Sequence, residues 1–271
     1  IKSSGTVNLG VRDSSGLAFT IGGGKYVGFH TEMAERIVDD LKKVTGNPNL
    51  KINYQVITSQ NRIPLLQNGT IDFECGSTTN NAGRQKDAAF AVTTFVDEVR
   101  TAVKANSGIK SVADLNGKTV VTTTGTTSVQ HLRRHERGAN IDFKTVQGKD
   151  HADSFLLLES GRADAFVMDG SILAANIARA KNPKDFAIVG EALSFEPIAC
   201  MLRKDDPKMK AALDNSIKRQ IKDGSLAKLY DKWFMQPVPP ANVKIGLPLS
   251  EATKAAWANP NDKPMEDYAK K

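Results

Sequence analysis

The chain has 271 residues, 40% hydrophobic and 25% charged, a composition typical of a globular protein of one large domain or two smaller ones. It has no run of about 18 apolar residues, so no transmembrane helix is expected. The net charge of +7 comes from scattered lysines and arginines without interleaved aromatic residues. This pattern indicates a solvated basic surface and argues against nucleic-acid binding.

The first third of the chain alternates between strand and helix patterns. Residues 6–11 are predicted to form a strand, residues 31–44 have the apolar spacing of a helix, and residues 51–57 alternate as a strand does. A short helix then ends at Gly69, which accepts the left-handed conformation, and a strand follows at 71–75.

A second series of elements begins near residue 114. The patterns predict strands at 119–123, 141–146, 163–168 and 197–202, and helices from about 127, at 150–160, 171–181, 208–222, 225–234 and 251–257. Asp206 can cap the helix that begins at Pro207. Strands that alternate with helices of this length predict parallel α/β sheets.

A loose internal repeat indicates two lobes of similar build. The segment LLQNGTID at 65–72 recurs as LLESGRAD at 157–164, and in each copy a helix ends on glycine before a strand. A polar stretch precedes each helix, with Ser59 in one copy and His151 in the other.

Polar loops follow four of the predicted strands, at the carboxyl ends where open α/β sheets bind ligands. They comprise residues 12–15, residues 76–79 with Arg84 beyond them, residues 122–128, and Asp169. The third loop places hydroxyl groups and a glycine before a helix, where free N–H groups favour an anion. Simple capping by Thr126 or Thr127 is the alternative.

The charged residues of these loops fit a zwitterionic ligand. Arg84 can bind a carboxylate bidentately, although it could instead be a surface arginine. Asp169 can bind an ammonium group or cap the next helix. A second acidic group on the ligand would have Arg12, Arg62 and His151 to bind.

Cys75 and Cys200 are the two cysteines, and neither has CxxC spacing or a His/Cys cluster beside it, so no metal is expected. They form either two buried thiols or one disulfide, and a disulfide would imply an oxidising compartment. The Gly-x-x-x-x-Gly-Lys-Ser/Thr phosphate loop is missing, and no cofactor is expected.

Five segments together resemble the periplasmic amino-acid-binding proteins of ABC importers, and most of all their glutamate/aspartate-binding branch. They are TSQNRIPLLQNG at 58–69, FECGSTTNN at 73–81, GTTS at 125–128, KDHADSF at 149–155 and LESGRA at 158–163. The resemblance spans nearly the whole chain. It implies an α/β fold of type II, with two lobes of mostly parallel sheet and two hinge crossovers.

The resemblance also implies lobe boundaries and ligand contacts. Lobe 1 would comprise residues 1–101 and 201–271, lobe 2 residues 102–200, and the ligand cleft would lie between them. Nine residues would contact the ligand: Arg84, Thr79 and Thr127 at the α-carboxylate, Asp169 and Ser77 at the α-ammonium group, and Arg12, Ser59, Arg62 and His151 at the side-chain carboxylate. The strands of Cys75 and Cys200 would be neighbours, which favours a disulfide.

The function implied by the resemblance is transport without catalysis. A monomeric periplasmic protein, secreted and without its signal peptide, would capture L-glutamate or L-aspartate by lobe closure and deliver it to an ABC permease. The stretches 17–20, 22–24 and 195–197 depart from the branch and leave the preference between the two acids open.

Two other functions are compatible with the same scaffold. A cyclohexadienyl dehydratase-like enzyme would need a general acid, for which Asp13, His151 and Glu196 are candidates. A sensor module that feeds a chemoreceptor or kinase would keep the same pocket.

Overall fold

The computed structural model describes residues 1–268 as two central sheets flanked by helices. The strands are β1 (Thr6–Val11), β2 (Phe19–Gly22), β3 (Lys25–Val27), β4 (Lys51–Val56), β5 (Phe73–Glu74), β6 (Ala89–Phe90), β7 (Phe95–Lys104), β8 (Thr119–Thr123), β9 (Lys144–Gly148), β10 (Ala165–Asp169), β11 (Phe186–Ile198), β12 (Met201–Leu202), β13 (Pro237–Val238) and β14 (Val243–Lys244). The helices are α1 (Phe29–Thr45), α2 (Arg62–Gln67), α3 (Thr127–Ala139), α4 (His151–Glu159), α5 (Gly170–Ala178), α6 (Pro207–Lys222), α7 (Ser225–Tyr230), α8 (Glu251–Ala258) and α9 (Met265–Tyr268).

The first sheet has the strand order β4-β1-β5-β12-β6. Strand β1 pairs in parallel with β4 and β5, whereas β12 is antiparallel to both of its neighbours. Helix α1 covers this sheet because its apolar residues recur on one face, including the fully buried Phe29, Met33 and Ile37. The carboxyl ends of β1 and β5 therefore lie side by side and bring their loops together.

The second sheet has the strand order β11-β7-β10-β8-β9. Strands β10, β8 and β9 are parallel, as predicted from the alternation of strands and helices. The long strand β7 is antiparallel to both of its neighbours, β10 and β11. The sequence predicted parallel sheets and did not predict these two antiparallel pairings. Strand β7 carries Asp97, Glu98 and Arg100 in a mostly buried strand, and these charged residues hide its apolar pattern.

Most predicted elements are present, with changes at their ends. The strand expected at 141–146 lies at Lys144–Gly148, and the strand expected at 71–75 is shortened to Phe73–Glu74. The strand expected at 197–202 is interrupted, because β11 ends at Ile198 and β12 begins at Met201. Asp206 caps α6 as predicted, since its carboxylate accepts a hydrogen bond from Met209 N at 3.0 Å.

The cysteines form the disulfide Cys75–Cys200, as the resemblance implied. Cys75 directly follows β5 and Cys200 directly precedes β12, and these two strands are antiparallel neighbours. The bond therefore lies at the base of the loop at 76–79, one of the predicted ligand loops.

The C-terminal segment packs where the chain passes from the first sheet to the second. The indole Nε1 of Trp257 donates to the carbonyl oxygen of Thr94 at 2.8 Å, and Val96 N donates to Thr253 Oγ1 at 3.0 Å. Both contacts lie at the start of β7. Within residues 1–268, no helix is long and apolar enough to cross a membrane.

Candidate functional site

A small polar cavity lies between the loops of the two sheets. The first sheet and the second sheet each contribute part of its wall. The lining residues are Ser59, Arg62, Ser77, Arg84, Thr126, Thr127, His151, Met168, Asp169 and Ile172. Seven of the nine predicted contact residues are in this set.

Arg12 lies behind the cavity lining, and its charge is already neutralised. It is fully buried, and its Nη2 donates to Ser59 Oγ at 3.0 Å and to Asp150 Oδ1 at 2.9 Å. The same nitrogen lies 3.2 Å from His151 Nε2. Asp150 stands at the start of α4, on the second sheet, so the Arg12–Asp150 ion pair joins the two sides of the cavity.

Arg62 and Arg84 form no ion pair within the described chain. Arg62 is buried, and its Nη1 donates to Thr78 Oγ1 at 2.9 Å while its Nε has no partner. Arg84 donates through Nη1 to the carbonyl oxygen of Thr79 at 2.9 Å and through Nη2 to that of Gly125 at 3.3 Å. Burial, and then the charges of Arg84 and Arg12, hold the pKa of Arg62 well below its usual range.

Asp169 is a buried carboxylate that has no salt-bridge partner in residues 1–268. It ends β10 and stands before α5, but its side chain does not cap that helix. Burial, and then the nearby carboxyls of Asp97 and Glu196, raise the pKa of Asp169 well above its ordinary value. A cation bound beside it would relieve that destabilisation.

Thr127 does not cap α3 in the way that the alternative interpretation required. Its hydroxyl donates to Glu196 Oε1 at 2.9 Å, and this oxygen also lies 2.8 Å from His131 Nε2. Thr126 instead donates to the carbonyl oxygen of Thr123 at 2.8 Å. A hydroxyl has one proton, so in this arrangement Thr127 has only its backbone N–H left to donate to an anion.

His151 is neutral and its two ring nitrogens have opposite roles. Nε2 faces the guanidinium of Arg12, which has no lone pair, so it must accept the hydrogen bond. Nδ1 then carries the proton and donates to Thr123 Oγ1 at 2.9 Å. Burial, and then the charge of Arg12, lower the pKa of His151 to about 3.

The remaining predicted contact residues take supporting positions. Ser59 and Ser77 line the cavity and accept hydrogen bonds from Arg12, at 3.0 and 3.5 Å. Thr79 is not part of the lining. It contributes instead the carbonyl oxygen that orients Arg84.

The two sides of the cavity are in direct contact with each other. A Cβ atom added at Gly16 would lie 2.2 Å from the carbonyl oxygen of Ser171, and one added at Gly125 would lie 2.7 Å from Cα of Gln60. Ala152 N also donates to Ser14 Oγ across the gap, at 3.1 Å. The structure therefore has the cleft closed.

Three functional candidates escaped the sequence analysis or were assigned another role. Asp150 neutralises Arg12, and Glu196 accepts a hydrogen bond from the hydroxyl of Thr127. Glu74 accepts hydrogen bonds from Gly76 N and Thr78 Oγ1. Of these three, the sequence predicts only Glu196, as a candidate general acid. The available signal for Asp150 and Glu74 was that each is an acidic residue inside a motif of the resemblance. Glu196 lies outside those motifs and had no such signal.

None of the three candidate general acids is ready to donate a proton in the cavity. Asp13 is exposed outside it, and His151 already uses both ring nitrogens. Burial raises the pKa of Glu196, but the hydrogen bonds from His131, Thr127 and Ser194 outweigh that effect and lower it. In residues 1–268, no group of three or more His, Cys, Asp or Glu residues could hold a metal ion.

Two α/β lobes that close on a buried polar cavity define a solute-binding protein with the type II periplasmic-binding fold. The chain belongs to the bacterial extracellular solute-binding proteins, family 3, whose family model matches residues 7–236. This match confirms the predicted family, and the similarity to solved structures confirms the predicted fold class.

Relatives and solved structures agree with this assignment. An L-glutamate/L-aspartate-binding protein of Pseudomonas aeruginosa is 44% identical over 98% of this chain and 89% of its own length. A glutamate/aspartate import solute-binding protein of Escherichia coli is 45% identical over 98% of this chain and 88% of its own length. The crystal structure of a cysteine-binding protein from Campylobacter jejuni has a TM-score of 0.75 at 26% identity, and the match covers 90% of this chain and 96% of that one.

Proposed function

We propose that the protein captures L-glutamate or L-aspartate outside the cytoplasm and delivers it to the permease of an ABC importer. The observation that carries this proposal is the set of charges at the cavity without an ion-pair partner in residues 1–268. It consists of two cations, Arg62 and Arg84, and the carboxyl group of Asp169, whose charged form a bound ammonium group would stabilise. An acidic amino acid has two carboxylates and one ammonium group, which complements this set. Two relatives that are 44% and 45% identical carry glutamate and aspartate in their names.

The proposed orientation of the ligand follows from where these groups stand. Arg84, held by the carbonyl oxygen of Thr79, takes the α-carboxylate with the backbone N–H of Thr127. Asp169 takes the α-ammonium group, with Ser77 nearby. Arg62 takes the side-chain carboxylate.

The side-chain end of the ligand is surrounded by a second group of polar residues. Ser59 and His151 line that part of the cavity, and Arg12 lies behind them. Each buried carboxylate is costly unless it is fully paired, which is why arginines and hydroxyls are needed together.

The proposed mechanism is closure of the two lobes around the ligand. We assign residues 1–101 and 201–271 to lobe 1 and residues 102–200 to lobe 2, with the arginines on the first and Asp169 on the second. A ligand that contacts both lobes stabilises the closed form by its difference in affinity for the two forms. The permease then recognises the closed shape.

The cellular setting of the proposal is the periplasm, where the disulfide Cys75–Cys200 is stable. The protein acts there as a monomer and without a cofactor. A sensor module would use the same cavity, and uptake of labelled glutamate by cells that lack the gene distinguishes the two roles.

Isothermal titration calorimetry with glutamate, aspartate, glutamine, asparagine and leucine tests the proposal. We expect saturable one-to-one binding of an acidic amino acid, weaker binding of the amides and none of leucine. Failure of both acids to bind would overturn the proposal. Conversion of prephenate, measured in parallel, would instead support the dehydratase alternative.

A further inference from the structure

We propose that Asp150, through its ion pair with Arg12, sets how strongly the site discriminates a carboxylate from an amide at the ligand's side-chain end. The inference rests on the proposed function and adds a specificity-determining residue to it. Asp150 is outside the set of residues that line the cavity, so its effect on the ligand passes through Arg12.

The side chain of Asp150 does not cap its own helix in the usual way. It stands at the residue before α4, where an aspartate usually caps the helix, yet its side chain makes no capping hydrogen bond. Its Oδ1 instead lies 2.9 Å from Arg12 Nη2. The carboxylate is therefore directed at the guanidinium on the other lobe.

The position of Arg12 makes this pairing relevant to specificity. Its Nη2 also contacts Ser59 Oγ at 3.0 Å and His151 Nε2 at 3.2 Å, and both residues line the cavity. A fully buried guanidinium would act strongly on a ligand charge, because the interior screens charges weakly. The negative charge of Asp150 offsets most of that field.

Removal of the Asp150 charge should therefore weaken the binding of amides more than the binding of acids. With Arg12 unpaired, a closed complex with glutamine would contain a buried uncompensated cation and would be destabilised. A glutamate side chain would compensate that cation and regain the loss. The ratio of the glutamine Kd to the glutamate Kd is thus the quantity that Asp150 controls.

The test is Asp150→Asn, which keeps the size of the side chain and its oxygen acceptor, measured by calorimetry with glutamate and glutamine. We expect the ratio of the two Kd values to rise by about tenfold or more, since unit charges roughly 4–12 Å apart in a protein interact with at least that strength. Circular dichroism and thermal unfolding establish that the variant is folded.

The matched control is Ser14→Ala, which removes another contact between the lobes, the hydrogen bond from Ala152 N, without changing charge. We expect it to weaken both ligands by the same factor and leave the ratio unchanged. If Asp150→Asn also weakens both ligands equally, Asp150 is a closure contact only and the inference is overturned. If the parent protein binds neither acid, it is the proposed function that fails.

Discussion

The two walls of the cavity have opposite charge. Arg12, Arg62 and Arg84 all stand on elements of the first sheet, whereas Asp150, Asp169 and Glu196 stand on elements of the second. Glu74 is an acidic residue on the side of the first sheet, and its carboxylate accepts hydrogen bonds from its own loop. Closure therefore brings a cationic wall against an anionic one.

This difference in charge shows how the residues around one cavity can both hold the two lobes together and select a ligand. The ion pair of Arg12 with Asp150 is made between the walls themselves and favours closure. Arg62, Arg84 and Asp169 have no ion-pair partner in residues 1–268, so they remain available for a ligand that carries both carboxylate and ammonium groups. Recognition and closure thus use different members of the same charge pattern, and substitutions can separate them.

The largest effect should come from removal of the cation proposed to bind a group common to all amino acids. We expect Arg84→Ala to weaken every ligand by about a thousandfold, since a broken buried charge contact costs about 3–5 kcal/mol. Calorimetry with glutamate and with glutamine measures it. If the variant binds either ligand as tightly as the parent does, Arg84 does not bind the group that all amino acids share.

A smaller and more selective effect should follow at Arg62. We expect Arg62→Ala to weaken glutamate and aspartate by about a hundredfold and glutamine by less than tenfold, because the proposed partner of Arg62 is the side-chain carboxylate. Competition binding with both classes of ligand checks this prediction. Unchanged glutamate affinity would mean that the side-chain end of the ligand lies elsewhere.

Each sheet also has a buried neutral histidine beside it, and this residue should make the free energy of unfolding depend on pH. His30 donates through Nδ1 to the carbonyl oxygen of Gly76 at 2.7 Å, and burial lowers the pKa of His30 to about 4. Between pH 6.5 and 4 the unfolded chain binds a proton that the folded chain does not, so stability falls as pH falls. From pH 7 to pH 5 the loss due to His30 should be about 2 kcal/mol.

Urea unfolding at the two pH values measures this loss. In His30→Gln the pH-dependent loss should be smaller by about that amount, and His135→Gln, at a half-buried position on α3, serves as the control. In the glutamate-saturated protein, His151 on the second wall should add a similar dependence, because burial and Arg12 lower its pKa to about 3. If the free energy of unfolding falls between pH 7 and pH 5 by the same amount in His30→Gln as in the parent, His30 is not the source of the loss.

The smallest effect should be a loss of affinity without a loss of selectivity. Gly16→Ala would place a Cβ atom 2.2 Å from the carbonyl oxygen of Ser171, on the opposite lobe. We expect all ligands to bind about tenfold more weakly, because a clash between the lobes disfavours the closed form alone. Gly138→Ala is the matched control, since a Cβ atom there meets nothing within 4 Å. A changed ratio of glutamate to glutamine affinity would show that Gly16 also shapes the binding site.

The sequence predicted those parts of the site that depend on local patterns. Arg84 and Asp169 were identified because each follows a strand that could be recognised from its own residues. The ion pair of Arg12 could not be identified in this way, since Asp150 is 138 residues away and looks like a helix cap. The role of Thr127 likewise depends on Glu196, which lies in a strand that the analysis missed because charged and polar residues interrupt its pattern.

The two tryptophans report on different parts of the protein. Trp233 is buried in the core of the first sheet, whereas Trp257 is half-buried and bonded to Thr94 where β7 begins. The emission of Trp257 should therefore change when the lobes rotate, with Trp233 as a constant background. Fluorescence of the unlabelled protein would then follow ligand capture in real time, and Trp257→Phe would abolish the signal.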